Sequence, residues 1–275
     1  MPSDWTDARI EEALDAWRWF PPGARRADGE GYVLAVTPGS FSLTCAYGVR
    51  GADGPEADRI LEEIRERVLA LGGTGVRLQV TPGSRPEDLP LRLERAGYRR
   101  LEDADALAWE LSDASGAVRL PEFPAPDGVA VREALAEPEY EAFVELSGPI
   151  FGDPEPPPAT RAAFREEFRR QVGSTGHSDR YVGWEGDRPV ARAGMEIVDG
   201  VARLWGTGVL ESHRRRGIYG RTVRVRCEEA VRRGATLVLV VARAGSSGPI
   251  LRRHGFRPVG LVHVFERRFG ADAGA

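Results

Sequence analysis

The stretch Ala202–Val241, ARLWGTGVLESHRRRGIYGRTVRVRCEEAVRRGATLVLVV, decides the reading of this chain. It opens with an apolar run of strand character ending at Val209, then turns through Leu210–His213 into Arg214, Arg215 and Arg216. From Gly217 to Arg233 the spacing predicts a helix, with Val223, Cys227, Ala230 and Val231 on one face and Arg221, Arg224, Glu228 and Arg232 on the other. Gly234 ends it, and Thr236–Val241 is apolar at nearly every position, as a central strand covered on both faces requires. Strand, turn, glycine and helix in this order make an anion cradle. The first-turn amides have no intrahelical partner and point one way, and the helix dipole adds positive charge at the same place. The cradle residues are Arg214, Arg215, Arg216, Gly217, Ile218, Tyr219, Gly220 and Arg221. Gly217 and Gly220 are expected to let a pyrophosphate approach without Cβ obstruction, while guanidinium groups neutralise its outer oxygens.

Upstream, strands are predicted over 180–184, 190–198 and 202–209, separated by EGDRP and VDGV, which reads as an antiparallel meander. GVAVREA at 128–134 is a further strand, followed by helices around 138–146 and 160–172. The proline-dense GDPEPPPAT (152–160) between them reads as a loop bordering a substrate site. Downstream come a short helix to His254 and a final strand pair over 256–269. The clearest boundary is SDASGAVRLPEFPAPDG (112–128), where Pro121, Pro124 and Pro126 interrupt regular structure. The expected division is therefore a domain over 1–111, a linker over 112–126 and a domain over 127–270. In the first half, Ile60, Leu61, Ile64, Val68 and Leu71 recur at helical spacing before Gly72 and Gly73. A strand at 76–80, a short helix at 89–96 and a strand from Tyr98 follow. LERAGYR (93–99) sits over LRRHGFR (251–257), the mark of a degenerate internal repeat.

The order of elements around Arg214-x-x-Gly217, with the ending ILRRHGFRPVG (250–260), resembles the GNAT acyltransferase superfamily. That family's signature is Arg or Gln, two residues, Gly, one residue, then Gly or Ala. The resemblance covers roughly 128–269 and implies an α/β (α+β) fold: two GNAT-like halves with mixed, mostly antiparallel sheets flanked by helices. It also implies acetyl-CoA as co-substrate, with main-chain groups of Val209 and Leu210 pairing with pantetheine as an added strand would. The implied reaction is transfer of an acetyl group, by direct attack, to an amine of a small molecule or peptide. A CoA-binding sensor without turnover is the alternative. Two positions depart from the family pattern. Tyr219 stands at the second small residue, so its ring must turn away from the phosphates. Leu251 stands where the family often places a proton-donating tyrosine; Ser246, Ser247 and Tyr219 are the nearest hydroxyl candidates. Glu196, a carboxylate in an otherwise apolar strand, is the expected general base.

In the first half, GADGPEADR (51–59) stands where the arginine run stands later, and Asp53, Glu56 and Asp58 would repel a pyrophosphate. That half is expected to be structural or substrate-shaping, as in tandem GNAT proteins. Composition bounds the remaining classes. With 38 basic and 42 acidic residues in 275, the net charge of −4 supplies no field for nucleic acid or an anionic bilayer. Every basic residue is arginine, and neither lysine nor asparagine occurs, so arginine abundance reflects coding bias more than function. The two cysteines and four histidines show no ligand spacing, so no metal is expected, and no position suggests a Ser–His or Cys–His pair. The acidic amino terminus is unlike a secretory signal, no apolar run reaches spanning length, and a cytoplasmic monomer or homodimer is expected.

Overall fold

The computed structural model describes residues 5–113, 115–153 and 155–269, and helices and strands alternate through all three stretches. The first half runs α1 (Asp7–Asp15), β1 (Arg25–Arg26), β2 (Val33–Val36), β3 (Cys45–Tyr47), α2 (Gly54–Ala70), β4 (Gly75–Val80), α3 (Leu89–Arg95) and β5 (Arg99–Glu110). The second runs β6 (Val129–Glu133), α4 (Glu137–Glu145), α5 (Ser147–Phe151), α6 (Pro158–Thr175), β7 (Arg180–Glu185), β8 (Arg188–Val198) and β9 (Val201–Val209). It closes with α7 (Ile218–Arg232), β10 (Leu237–Arg243), α8 (Ser247–Arg253) and β11 (Arg257–Arg268). The fold is mixed α/β, with mostly antiparallel sheet flanked by helices. The meander is present as β7, β8 and β9. The expected terminal strand pair is instead one long strand, β11.

The chain divides into two compact units that are discontinuous in sequence. The carboxy-terminal unit holds residues 5–6, Leu107–Glu155 and Arg165–Pro258; the amino-terminal unit holds Asp7–Ala106, Pro156–Phe164 and 259–269. These limits differ from the expected 127–270 at both ends. The reason is pairing: His263–Arg268 of β11 lie antiparallel against Gly75–Val80 of β4. An alternating pattern shows that a strand exists and says nothing about which strand it joins.

In the carboxy-terminal unit the strand order is β5-β10-β9-β8-β7-β6. Neighbours from β6 to β9 are antiparallel, and β9 and β10 are parallel because α7 carries the chain back between them. Successive strand residues face opposite sides. Tyr181, Ala193, Met195 and Leu204 pack under Val223, Cys227 and Ala230 of α7. On the other face, Val182, Trp184 and Trp205 pack with Phe143 and Leu146. The amino-terminal unit repeats the plan β3-α2-β4-α3, with β3 parallel to β4. Ile60, Ile64 and Val68 of α2 are fully buried against Leu34, Val36 and Leu78. In both units the short helix ends on a left-handed glycine, Gly97 (φ 79°) or Gly255 (φ 87°), which opens the next strand.

Candidate active site

Strands β9 and β10 pair from Val201/Leu237 to Leu204/Val240 and then part, although β9 continues to Val209 and β10 to Arg243. The parting coincides with a bulge. Arg192 of β8 faces Gly208, but Gly194 faces Trp205, so β9 carries an extra residue at Gly206–Thr207, where Gly206 adopts φ 55°. Beyond the bulge, the Leu210 amide donates to the Val190 carbonyl at 2.9 Å. By strand alternation the N–H and C=O of Val209 then point away from β8, into the gap. The two main-chain candidates are thus separated: Val209 faces the gap, whereas the amide of Leu210 is already spent on β8.

The cradle begins after a tight turn at Glu211–His213. Arg215 (φ 64°) and Gly217 (φ 78°) are both left-handed, and Gly217 caps α7 without a side chain to satisfy the first amides. Ile218 is buried with Val190, Ala191 and Val209, fixing the helix start against the strand it follows. The arginines are not equivalent. Arg214 donates through Nε to the Val209 carbonyl at 3.3 Å, Arg216 pairs with Glu185, and Arg215 extends from the exposed turn. Arg221 closes the first helical turn, its amide donating to the Gly217 carbonyl. Arg216, and after it His213, hold the Glu185 carboxyl below the usual carboxylate range.

The glycines serve a purpose other than the one expected of them. A Cβ on Gly220 would lie 2.5 Å from the Phe123 ring, and one on Gly217 would lie 3.2 Å from the Pro124 carbonyl oxygen. The proline-rich segment therefore passes directly over the start of α7, and Arg224 donates to the Pro121 carbonyl at 3.0 Å to hold it. Space beside these glycines is taken by the chain itself.

Tyr219 turns its ring inward, as the departure from the signature requires, packing against Val190, Ala191 and Val223. Burial raises its pKa, and its hydroxyl reaches Ser247 at the start of α8. Leu251 is fully buried and carries no proton. Glu196 is not brought to the cradle. It stands opposite Arg203, with Oε1 and Nη1 3.9 Å apart, and Val209 lies six positions further along β9, roughly 20 Å at strand rise. An apolar strand context marks a residue as covered without saying at which end of the strand the chemistry lies.

Two clusters were missed in the sequence. Ser212 Oγ lies 2.8 Å from His213 Nδ1, and His213 Nε2 lies 3.1 Å from Glu185 Oε2, so a Ser–His pair does exist beside the cradle. Adjacency of Ser212 and His213 was the available signal. At the other end of α7, ligand atoms of Glu133, His177 and Glu229 lie within 4.8 Å of one another. There Glu133 accepts from the amides of Ser178 (2.7 Å) and Asp179 (3.0 Å), and Arg232 pairs with Glu229, so the group ties β6, β7 and α7 together. An open groove of about 710 Å³ is lined by Val118, Arg119, Leu120 and Glu122 of the proline-rich segment together with Trp109, Arg224 and His254.

Residues 140–256, which contain the parted strands and the helix start at Gly217, match the family described as Acetyltransferase (GNAT) family. Solved structures agree over a greater length. A GCN5-related N-acetyltransferase from Kribbella flavida shares 24% identity at a TM-score of 0.66, covering 99% of this chain and 98% of its own. One from Sphaerobacter thermophilus shares 19% identity at a TM-score of 0.63, covering 98% of this chain and 88% of its own. A tandem GNAT protein from the clavulanic acid biosynthesis pathway shares 15% identity at a TM-score of 0.56, covering 96% and 89%. No curated protein matches the sequence. Among the described residues no helix is long and apolar enough to cross a membrane.

Proposed function

We propose that the carboxy-terminal unit transfers an acetyl group from acetyl-CoA to an amine carried by a small molecule or a peptide. The observation that supports this most directly is the parting of β9 from β10 after Leu204 and Val240, beside a helix start without a side-chain cap. The co-substrate supplies an activated acyl thioester. The residues of this chain bind it, orient it and handle charge. The edge of β9 receives an extended arm as an added strand through the N–H of Val209, whose C=O already accepts from Arg214 Nε. Amides of Ile218, Tyr219 and Gly220, with Arg214, Arg215 and Arg216, take up phosphate charge. The Val209 amide is also the donor positioned for a carbonyl oxygen that gains negative charge during attack.

Direct attack by the amine fits the side chains present. Cys227 is buried in the core, and burial pushes its thiol up to about 12, so no thiolate is available there. Ser212 and His213 are read as scaffold, since the same Glu185 carboxylate also holds Arg216. With Glu196 remote, the amine loses its proton to solvent, and the Tyr219 hydroxyl, kept protonated by burial and bonded to Ser247, is the proton donor proposed for the leaving thiol. The test is release of free thiol from acetyl-CoA across a panel of amines. Arg214→Ala combined with Arg216→Ala should weaken acetyl-CoA binding, and Ser212→Ala should leave the rate within about twofold with no acyl-enzyme visible by mass spectrometry. Binding without turnover on any amine would support a sensor instead.

A further inference from the structure

Arg192 lies on β8, on the face opposite α7, and is 9% exposed. Its guanidinium carbon sits 3.7 Å from the centre of the Phe143 ring and 5.7 Å from that of Phe151. Among the described residues its nitrogens make no hydrogen bond and no ion pair, and its Nε is wholly enclosed. Two aromatic rings stabilise the faces of the cation, but five N–H donors lie along its edge and need acceptors. Burial lowers its pKa to about 10, which still leaves it charged at neutral pH. Asp153 is the acid whose field reaches it, and that carboxylate is exposed and bonded to Ser147 Oγ at 2.8 Å. Arg226, which is fully buried, differs in that its Nε and Nη1 donate to the carbonyls of Thr222 (2.9 Å) and Gly194 (2.6 Å), leaving Nη2 unpartnered. A buried charge is normally partnered, and leaving one unpaired is strongly unfavourable.

The position of this charge says what its partner is for. Arg192 faces Gly208 in register, and its Nη2 lies 3.9 Å from where a Cβ on Gly206 would be. It therefore sits at the bulge that frees the Val209 edge. Ile150 and Phe151 of α5 close over Gly208 from the same side, so Phe143, Ile150 and Phe151 pack around Arg192 next to the parted strands. We infer that the amine acceptor carries a carboxylate, and that Arg192 binds it as the specificity-determining residue. A flat carboxylate matches the guanidinium edge bidentately. The acceptor is then an amino-acid-like amine, its acid end on Arg192 and its amine toward the Val209 edge. This rests on the acetyl-transfer reading of the same site.

The experiment uses matched amines that differ only in a free carboxylate or its carboxamide, in the full chain. Calorimetric titration reads binding, and thiol release reads turnover. The wild type should bind and acetylate the acid about 10- to 100-fold better in kcat/KM than the amide, the size of a charge-assisted bidentate contact. Arg192→Gln should bring the two within about twofold, through KM, with acetyl-CoA affinity unchanged; Arg192→Lys should restore part of the preference. Because Arg192→Gln removes an unpaired buried charge, it should melt no lower than wild type, so lost preference is not lost fold. Equal use of acid and amide by the wild type, or a preference that survives Arg192→Gln, overturns the inference. If acetyl-CoA neither binds nor reacts, the transferase reading falls, and the acid-over-amide difference in binding heat still decides the role of Arg192.

Discussion

Arg192 and Arg226 occupy the two faces of one strand region, and their partners give them opposite energetic signs. Arg226 fills the core with Nε and Nη1 bonded to the Thr222 and Gly194 carbonyls. Arg226→Ala removes those bonds, strands the Gly194 carbonyl and leaves a cavity, so a loss of about 2–4 kcal/mol is expected from denaturant unfolding. Arg192→Met should do the reverse. Burial lowers Arg192 from its ordinary value to about 10, so the unfolded chain holds that proton more tightly than the folded one. The unfavourable term is fully present below pH 10 and fades as pH rises toward the unfolded value. At neutral pH, Arg192→Met is therefore expected to stabilise by on the order of 1–3 kcal/mol, with the gain shrinking in melts above about pH 10. Neither arginine stood out among 38 in the sequence. Arg226 did carry a signal: it falls three positions after Val223 and four before Ala230, inside the apolar stripe of its helix. Arg192 carried none, because Phe143 and Phe151, which identify it, come from elements that only the fold brings near.

At the scale of elements, the start of α7 is shaped by two neighbours, the strand before it and the proline-rich segment across it. Gly220→Ala places a methyl group against the Phe123 ring, and a loss of about 1–3 kcal/mol is expected. Phe123→Ala should relieve much of that loss in the double variant, and a thermal-melt cycle measures the coupling. The arginine run depends on β7 as well. Glu185 holds Arg216, so Glu185→Gln frees a cation beside the cradle and should tighten acetyl-CoA binding several-fold at low salt, with the gain fading as salt is added. The sign of the pH effect follows from the same pair. The Glu185 carboxyl lies below its usual range, so the tie contributes fully above that range and is lost as pH falls through the lowered value. Glu137, held low by Arg169, behaves alike at the start of α4. The helix start at Gly217 was legible in the sequence because it is a backbone property, set by where a glycine ends a turn and a helix begins. The use of each arginine was not, since Glu185 and Val209 reach Arg216 and Arg214 only through tertiary structure.

At the scale of the whole molecule, the two units share a plan and differ at one helix start. The repeat seen in LERAGYR and LRRHGFR reappears as α3, Gly97 and β5 beside α8, Gly255 and β11. In the carboxy-terminal unit the helix after the parallel strand starts at Gly217, with no side-chain cap. In the amino-terminal unit the corresponding helix, α2, starts at Asp53, whose carboxylate accepts from the Glu56 amide at 2.9 Å. That start already holds an anion of its own, and further negative charge would be repelled there. The negative charge at this helix start is legible in the run 51–59, whereas the placement of β11 against β4 is not, because strand order is decided by pairing and not by pattern. The central claim is that acetyl-CoA binds where β9 parts from β10 and nowhere else on the chain. Calorimetric titration of the full chain with acetyl-CoA tests it most directly. One site per chain is expected, weakened at least about tenfold when Arg214 and Arg216 are both replaced by alanine; two sites, or none, would contradict it.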